Sequence, residues 1–245
     1  MHNFYFKMAE FNKMFELKSQ EESCITCKRK SHLFKLLSEE ELASVNNSRC
    51  HVKYRAGEII RKQGAELHHV ISVTGGLCKM YIEGNETRDV ILRIIKPTNF
   101  IGGPGLFVDF KHHFTVSAII DTTVCFIDSK VFKLILDNNT EFANSFMQDM
   151  SINMISVFNR IISLTQKQMA GRIADALMYF SEEIFESKEF HLPISKQEIA
   201  DYTQMSKDNL VRIMKSFDNE NIIQMKDDVL TIVDIKKLRY ISSTG

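Results

Sequence analysis

A chain of 245 residues, 44% hydrophobic and 25% charged, can bury a full core and reads as an ordinary globular protein of one large or two small domains. Thirty-one Lys and Arg balance 31 Asp and Glu, and the region from Gln166 onward is slightly acidic, with 11 basic against 13 acidic residues. Any phosphate-binding surface must therefore be local. No apolar run approaches the roughly 18–20 residues of a membrane span. The start carries lysines and acids throughout and is no signal peptide, and five cysteines, an odd number, point to a reducing cytoplasm without a disulfide framework.

In chain order, Phe4, Met8, Phe11 and Phe15 share one helical face and predict a small helix docked on the body. A lone CxxC follows at Cys24 and Cys27, then the basic run Lys28-Arg29-Lys30 and His32. Ser38 before Glu39-Glu40-Glu41 is a helix start, a serine cap with acids in the first turn. From about Cys50 the texture changes to short runs rich in β-branched and aromatic residues: His51–Tyr54, Val70–Val73, Leu77–Ile82, Val90–Ile95 and Phe114–Ile120. Eight of the ten glycines fall between Gly57 and Gly105, so the tight turns are concentrated there. That pattern predicts a β-sandwich or barrel of roughly 80 residues. Cys50 and Cys78 read as ordinary core or half-buried thiols, and His112-His113 as solvated loop histidines.

The pattern turns helical at Ser129–Asp137 and again from about Thr140. Ala143, Met147, Met150, Met154, Val157, Ile161 and Leu164 recur in steps of four and three, a heptad seam over about three repeats. A symmetric dimer is the favoured occupant of that seam; an internal core helix is the alternative. After a break near Leu164-Thr165-Gln166, a helix over about 168–185 would pack through Ile173, Ala176, Leu177, Phe180 and Ile184.

Two short amphipathic helices then meet at a tight turn. Ser195 caps the first, which carries Ile199, Ala200 and Tyr202; Thr203-Gln204-Met205 turns the chain; Ser206 caps the second, with Leu210, Val211, Ile213, Met214 and Phe217. Lys207, Asp208, Asn209, Arg212 and Lys215 fall near or on the outer side of the second helix, and Lys196, Gln197 and Ser206 stand at the two helix starts. Short polar and basic residues at a capped N-terminus suit entry into a DNA major groove. The bland alternative is an αα-hairpin with a solvated charged face. A hairpin, Asn221–Met225 and Val229–Val233 around Lys226-Asp227-Asp228, makes the whole a winged helix.

This order resembles the Crp/Fnr family of bacterial transcription regulators over nearly the whole chain after about Leu33. Tyr54-Arg55-Ala56-Gly57-Glu58 with Gln63-Gly64, Gly102-Gly103-Pro104-Gly105-Leu106-Phe107, Leu164-Thr165-Gln166-Lys167 and the helix–turn–helix carry the likeness. It implies an α+β fold: a leader over 1–37, a double-stranded, jelly-roll-like β-roll sensor over 38–138, a dimerisation helix over 139–165 and a winged helix–turn–helix over 166–245. It also implies a cytoplasmic homodimer on palindromic double-stranded DNA, an activator working with RNA polymerase and without a membrane. Asp208 and Arg212 match the family's base-reading acid and arginine, and Lys207 a phosphate- or base-contacting position. Arg212 can pair bidentately with guanine, and Asp208 can accept from a cytosine amino group. Val211 stands where some members carry a reading serine.

Cyclic-AMP-binding members use a glutamate and an arginine that this chain replaces with Gly103 and with a position near His112-His113. No acid or arginine lies between Thr98 and Phe107, so cyclic AMP is not the expected effector. Gly102, Gly103, Gly105 and Leu106 are the effector-pocket candidates, or a structural bend. The Fnr branch holds an iron–sulfur cluster, and Cys24, Cys27 and Cys125 resemble part of its ligand set with His32 near the remaining place. Iron–sulfur or zinc is one reading of these four, plain thiols the other. The rival to a DNA-binding regulator is a ligand-binding β-roll acting mainly through protein contacts. An enzyme using Cys24 and Cys27 as a redox pair lacks the βαβ context such a pair needs.

Overall fold

The computed structural model describes residues 23–27, 30–84 and 89–245. The Phe4–Phe15 stripe lies outside them. The chain divides into two compact units, Met1–Glu83 with Arg93–Ile155, and Gly84–Leu92 with Ser156–Gly245.

In the first unit, Ser38 and Glu41 form a reciprocal capping box that starts helix α1 (Glu39–Ser48). Strands β1 (Arg49–Tyr54), β2 (Ile59–Arg61), β3 (His69–Gly75), β4 (Cys78–Ile82), β5 (Val90–Ile95) and β6 (Phe100–Ile101) follow, then one helical turn, α2 (Gly105–Val108), and strands β7 (Thr115–Ala118) and β8 (Thr122–Asp128). They make two four-stranded sheets, β1-β8-β3-β6 and β2-β7-β4-β5, and the chain crosses between the sheets at every step except β4 to β5. Gly76 needs its glycine: φ is +83° and an added Cβ would lie 2.4 Å from the Asp121 carbonyl oxygen.

Strand β8 sorts the interior by its pleat. Cys125 and Ile127 join an apolar cluster with Leu33, Val45, Val70, Phe132, Phe142 and Phe146. Phe126 points the other way, and the Arg61 guanidinium of β2, in the second sheet, lies over its ring at 4.2 Å. Helix α3 (Ser129–Asn138) starts where the Asp128 carboxylate accepts from the backbone N–H groups of Lys130 and Val131. Its Phe132 sits edge-on to Phe142 and Phe146 at 5.4 and 5.3 Å.

Helix α4 (Thr140–Gln166) has 27 residues. In the second unit α5 (Met169–Tyr179) continues as a π turn over Phe180–Ile184. Strand β9 (Glu189–His191), helices α6 (Lys196–Tyr202) and α7 (Lys207–Asn219), strands β10 (Ile223–Lys226) and β11 (Val229–Ile232) and helix α8 (Ile235–Thr244) follow. The expected hairpin is a three-stranded sheet, β10-β11-β9, and α8 was not read from the sequence. Asp227 and Asp228, at φ +48° and +61°, close a two-residue hairpin loop that needs both residues left-handed. Asp175 fastens three helices: it accepts from Ser163 at 2.6 Å, Lys167 at 2.8 Å and Ser242 at 2.5 Å.

Candidate nucleic-acid interface

Helix α6 begins with a second capping box, Ser195 with Glu198, and buries Ile199, Ala200 and Tyr202. The turn after it is held from several sides. The Thr203 hydroxyl donates to the Ile199 carbonyl at 2.7 Å, and Arg172 donates to the Gln204 carbonyl at 3.2 Å. Gln204 is left-handed (φ +50°), and its amide donates to the carbonyl oxygens of Asp201 and Asp89 at 2.8 and 2.9 Å. This fixes the angle at which α7 leaves.

Ser206 caps α7 by accepting from the Asn209 N–H at 3.2 Å. Leu210, Ile213 and Phe217 are buried, while Lys207, Asp208, Val211, Arg212 and Lys215 are exposed. Leu210 and Ile213 are two of the residues that hold this helix on its unit, which leaves the other face to solvent. Among the described residues neither Lys207, Arg212 nor Lys215 is engaged in an ion pair. Ser206, Lys207, Asp208, Arg212 and Lys215 of the sequence-expected set are thus brought to one end and one face of α7, while Lys196 and Gln197 stand at the start of α6. Gln197 is exposed but donates to Asp201 at 2.8 Å within its own helix, and Asn209 is half buried. Val211, 41% exposed, stands at the centre of the outer face; its i, i±4 spacing to Lys207 and Lys215 was the available signal. A groove of about 520 Å³ runs beside α7, lined by Pro193, Ile194, Leu210, Val211, Met214 and Met225 among others. Acidic Asp227 and Asp228 at the hairpin tip oppose a close phosphate contact there.

A buried cation braces this unit. Arg160, 6% exposed, lies over the Tyr202 ring at 3.7 Å and donates to the Ile91 carbonyl at 3.3 Å. Tyr179 stacks on Tyr202 at 5.8 Å, and burial raises the Tyr202 hydroxyl pKa.

Comparison with known proteins matches residues 51–139 to the cyclic nucleotide-binding domain and residues 171–241 to the Crp-like helix-turn-helix domain. The chain belongs to the Crp/Fnr family. The cAMP-activated global transcriptional regulator CRP of Salmonella typhimurium is 22% identical over 190 residues, 76% of this chain and 90% of that protein. Electron transport regulator A of Shewanella oneidensis is 23% identical over 193 residues, 77% of each chain. The structure of FixK2 from Bradyrhizobium japonicum shares the fold at a TM-score of 0.74, with 17% identity, covering 80% of this chain and 98% of that one. This member of the Crp/Fnr family is a DNA-binding transcription regulator with a cyclic nucleotide-binding domain.

The glycine cassette is a tightly packed bend. Gly103 has φ +67°, with the Phe114 ring 2.9 Å from where a Cβ would sit, and a Cβ on Gly105 would lie 1.9 Å from the Lys111 carbonyl oxygen. Leu106 is fully buried in the apolar cluster, which corrects its assignment as a pocket wall. His112 corrects a second expectation: it is 2% exposed, and only His113 is solvated, bonded to Asp109 at 3.1 Å.

The exposed stripe of α4 is rotated from the expected one. Met147, Met154, Ile155, Phe158, Ile161 and Ile162 are 46% to 66% exposed, whereas Met150, Val157 and Leu164 are half buried, Met150 against the first unit's core. Heptad spacing alone cannot tell the two neighbouring stripes apart; burial of Phe146, Arg160 and Ser163 fixes which side faces the body.

Of the four candidate metal ligands, Cys24, Cys27 and Cys125 lie near enough to act on one another's charge, and His32 does not join them. Cys24 and Cys125 are buried in the same cluster, Cys27 is half exposed to solvent, and His32 points to Asp149 at 3.3 Å. Burial raises the Cys24 thiol and pushes Cys125 up to about 11. Among the described residues no three His, Cys, Asp or Glu side chains are grouped to hold a metal ion. With His32 turned to Asp149, the three cysteines lack the fourth ligand of a three-cysteine, one-histidine site.

Proposed function

We propose that this protein is a homodimeric, sequence-specific regulator whose α7 reads the major groove and whose β-roll senses a signal other than cyclic AMP. The observation that carries the reading is the capped, exposed face of α7, where Lys207, Asp208, Arg212 and Lys215 surround Val211. Arg212 is the candidate guanine reader and Asp208 its cytosine-side partner. Two copies would join along Met147, Met154, Ile155, Phe158, Ile161 and Ile162, giving two recognition helices related by the two-fold axis of a palindromic operator. RNA polymerase contact in the cytoplasm completes the proposal.

Selection of duplexes from a random pool, followed by fluorescence anisotropy, tests it. A two-fold-symmetric site is expected, with affinity falling steeply as salt rises. Arg212→Ala should cost about 1–3 kcal/mol and relax preference at one base pair of each half-site. Unchanged affinity and preference in that variant would remove α7 as the reader.

A further inference from the structure

Solvent-exposed thioethers are concentrated on one face of α4. Among the described residues Met147 is 66% exposed and Met154 55%, ahead of Met225 on the hairpin at 37%. Met80 and Met205 are buried, and Met150, Met169, Met178 and Met214 are half buried. Met147 and Met154 stand one heptad apart, in the outward stripe with Ile155, Phe158 and Ile161. That stripe is the proposed contact with a second copy, so sulfurs open in a single protomer become covered when two join.

Oxidation changes what the stripe can pack against. A thioether is apolar and fills a seam much as leucine does, whereas its sulfoxide is a polar, chiral group with an acceptor oxygen. In a lone protomer that oxygen is hydrated. In a closed seam it meets methyl, methylene and aromatic groups, and it leaves its water behind without a donor in exchange. The hydroxyl of Ser151, one turn beyond Met147, already donates to the Met147 carbonyl at 2.9 Å. One turn beyond Met154 stands Phe158, which has no donor to offer.

We propose that Met147 and Met154 are oxidative modification sites, converted to methionine sulfoxide by a hydroperoxide in the separated protomer, and that this conversion keeps the protein from dimerising. At each residue a sulfur lone pair attacks a peroxide oxygen. The S–O bond forms as the O–O bond breaks, the sulfur is oxidised, and the departing oxygen takes up a proton to leave as an alcohol or water. The inference rests on the α4 seam of the proposed function and adds a regulation of that seam.

The test treats the full chain with tert-butyl hydroperoxide and then with dithiothreitol, which returns disulfides and sulfenic acids to thiols and leaves methionine sulfoxide in place. Peptide mass spectrometry follows each methionine, and sedimentation velocity follows the dimer. Met147 and Met154 should oxidise before Met80, Met150 and Met205, and more slowly as protein concentration rises through the dimerisation range. Their conversion should weaken the dimer by at least about 100-fold, because two sulfoxides in each copy would enter the seam unpaired. Methionine sulfoxide reductase should restore it. The double variant Met147→Leu, Met154→Leu should dimerise as the wild type does and keep its dimer through the same treatment. The double variant Met147→Gln, Met154→Gln should be weakened without oxidant. A wild-type dimer that survives full conversion of both residues, a Leu double variant that dissociates equally on oxidation, or earlier oxidation of the buried methionines would overturn the proposal. Should the Leu double variant not fold, the reductase step on the wild type decides, and no recovery overturns it. An untreated chain that never dimerises would remove the seam itself and the inference with it, whereas an oxidation-resistant dimer removes the inference alone.

Discussion

On the outer face of α7, Arg212 stands in solvent with Lys207 and Lys215 near it; inside the roll, Arg61 lies half buried on an aromatic ring beside an unbonded histidine. The first surface keeps its charges hydrated until a partner arrives, so its residues should govern binding and leave stability alone. The second has already given up part of its hydration, so its residues should govern stability and pH response and leave base reading alone. The exposed stripe of α4 belongs with the first kind, and Arg160, buried over Tyr202, with the second.

The largest effect expected of the outer surfaces is on assembly. Phe158→Glu places two charges in the proposed seam and should weaken the dimer by at least about 100-fold, since each copy loses the burial of one aromatic side chain. Sedimentation velocity would show it, with the unfolding midpoint of the protomer little changed; an intact dimer would move the contact off α4. Arg160→Ala should do the reverse. Removing a desolvated cation–π contact, a hydrogen bond and the packed stem should cost about 2–4 kcal/mol in urea unfolding. Arg212→Ala should stay within about 0.5 kcal/mol of wild type in the same assay. A destabilised Arg212→Ala would break the distinction between the two surfaces.

His112 sharpens the comparison through pH. Its imidazole titrates near 6.5 when unfolded and is held down to about 4 in the roll. Between those values the unfolded chain binds the extra proton. Stability present above pH 6.5 is therefore lost as pH falls toward 4, by roughly 3 kcal/mol. Urea midpoints measured from pH 8 to 4 should fall less in His112→Leu than in wild type. Parallel curves would mean that the ring is not held neutral by its surroundings.

The smallest effect concerns the hairpin tip. Asp227→Asn keeps a residue that tolerates φ > 0 and removes one charge facing the proposed DNA side. Non-specific affinity should rise by up to about 1 kcal/mol at low salt, with base preference unchanged, and the gain should fade as salt screens it.

The sequence by itself determined the elements whose signals are local. Ser38 with Glu41 and Ser195 with Glu198 announce helix starts because cap and partner lie three residues apart. The clustered glycines announce the roll, and the alternation of Leu210, Ile213 and Phe217 with Lys207, Arg212 and Lys215 announces a helix with one free face. Strand β9 and helix α8 escaped because three residues, Glu189–His191, carry too little periodicity, and Ile235–Thr244 is recognised by its packing on α5. Only the tertiary structure decided which stripe of α4 faces outward, since neighbouring heptad positions differ in environment and not in spacing. Only it turned His32 toward Asp149, sealed Leu106 in the core and placed His112 beside Arg61, 51 positions away in the chain. Those outcomes depend on contacts between residues distant in sequence, and burial, which sets whether a charge is solvated or confined, exists only once the sheets have closed.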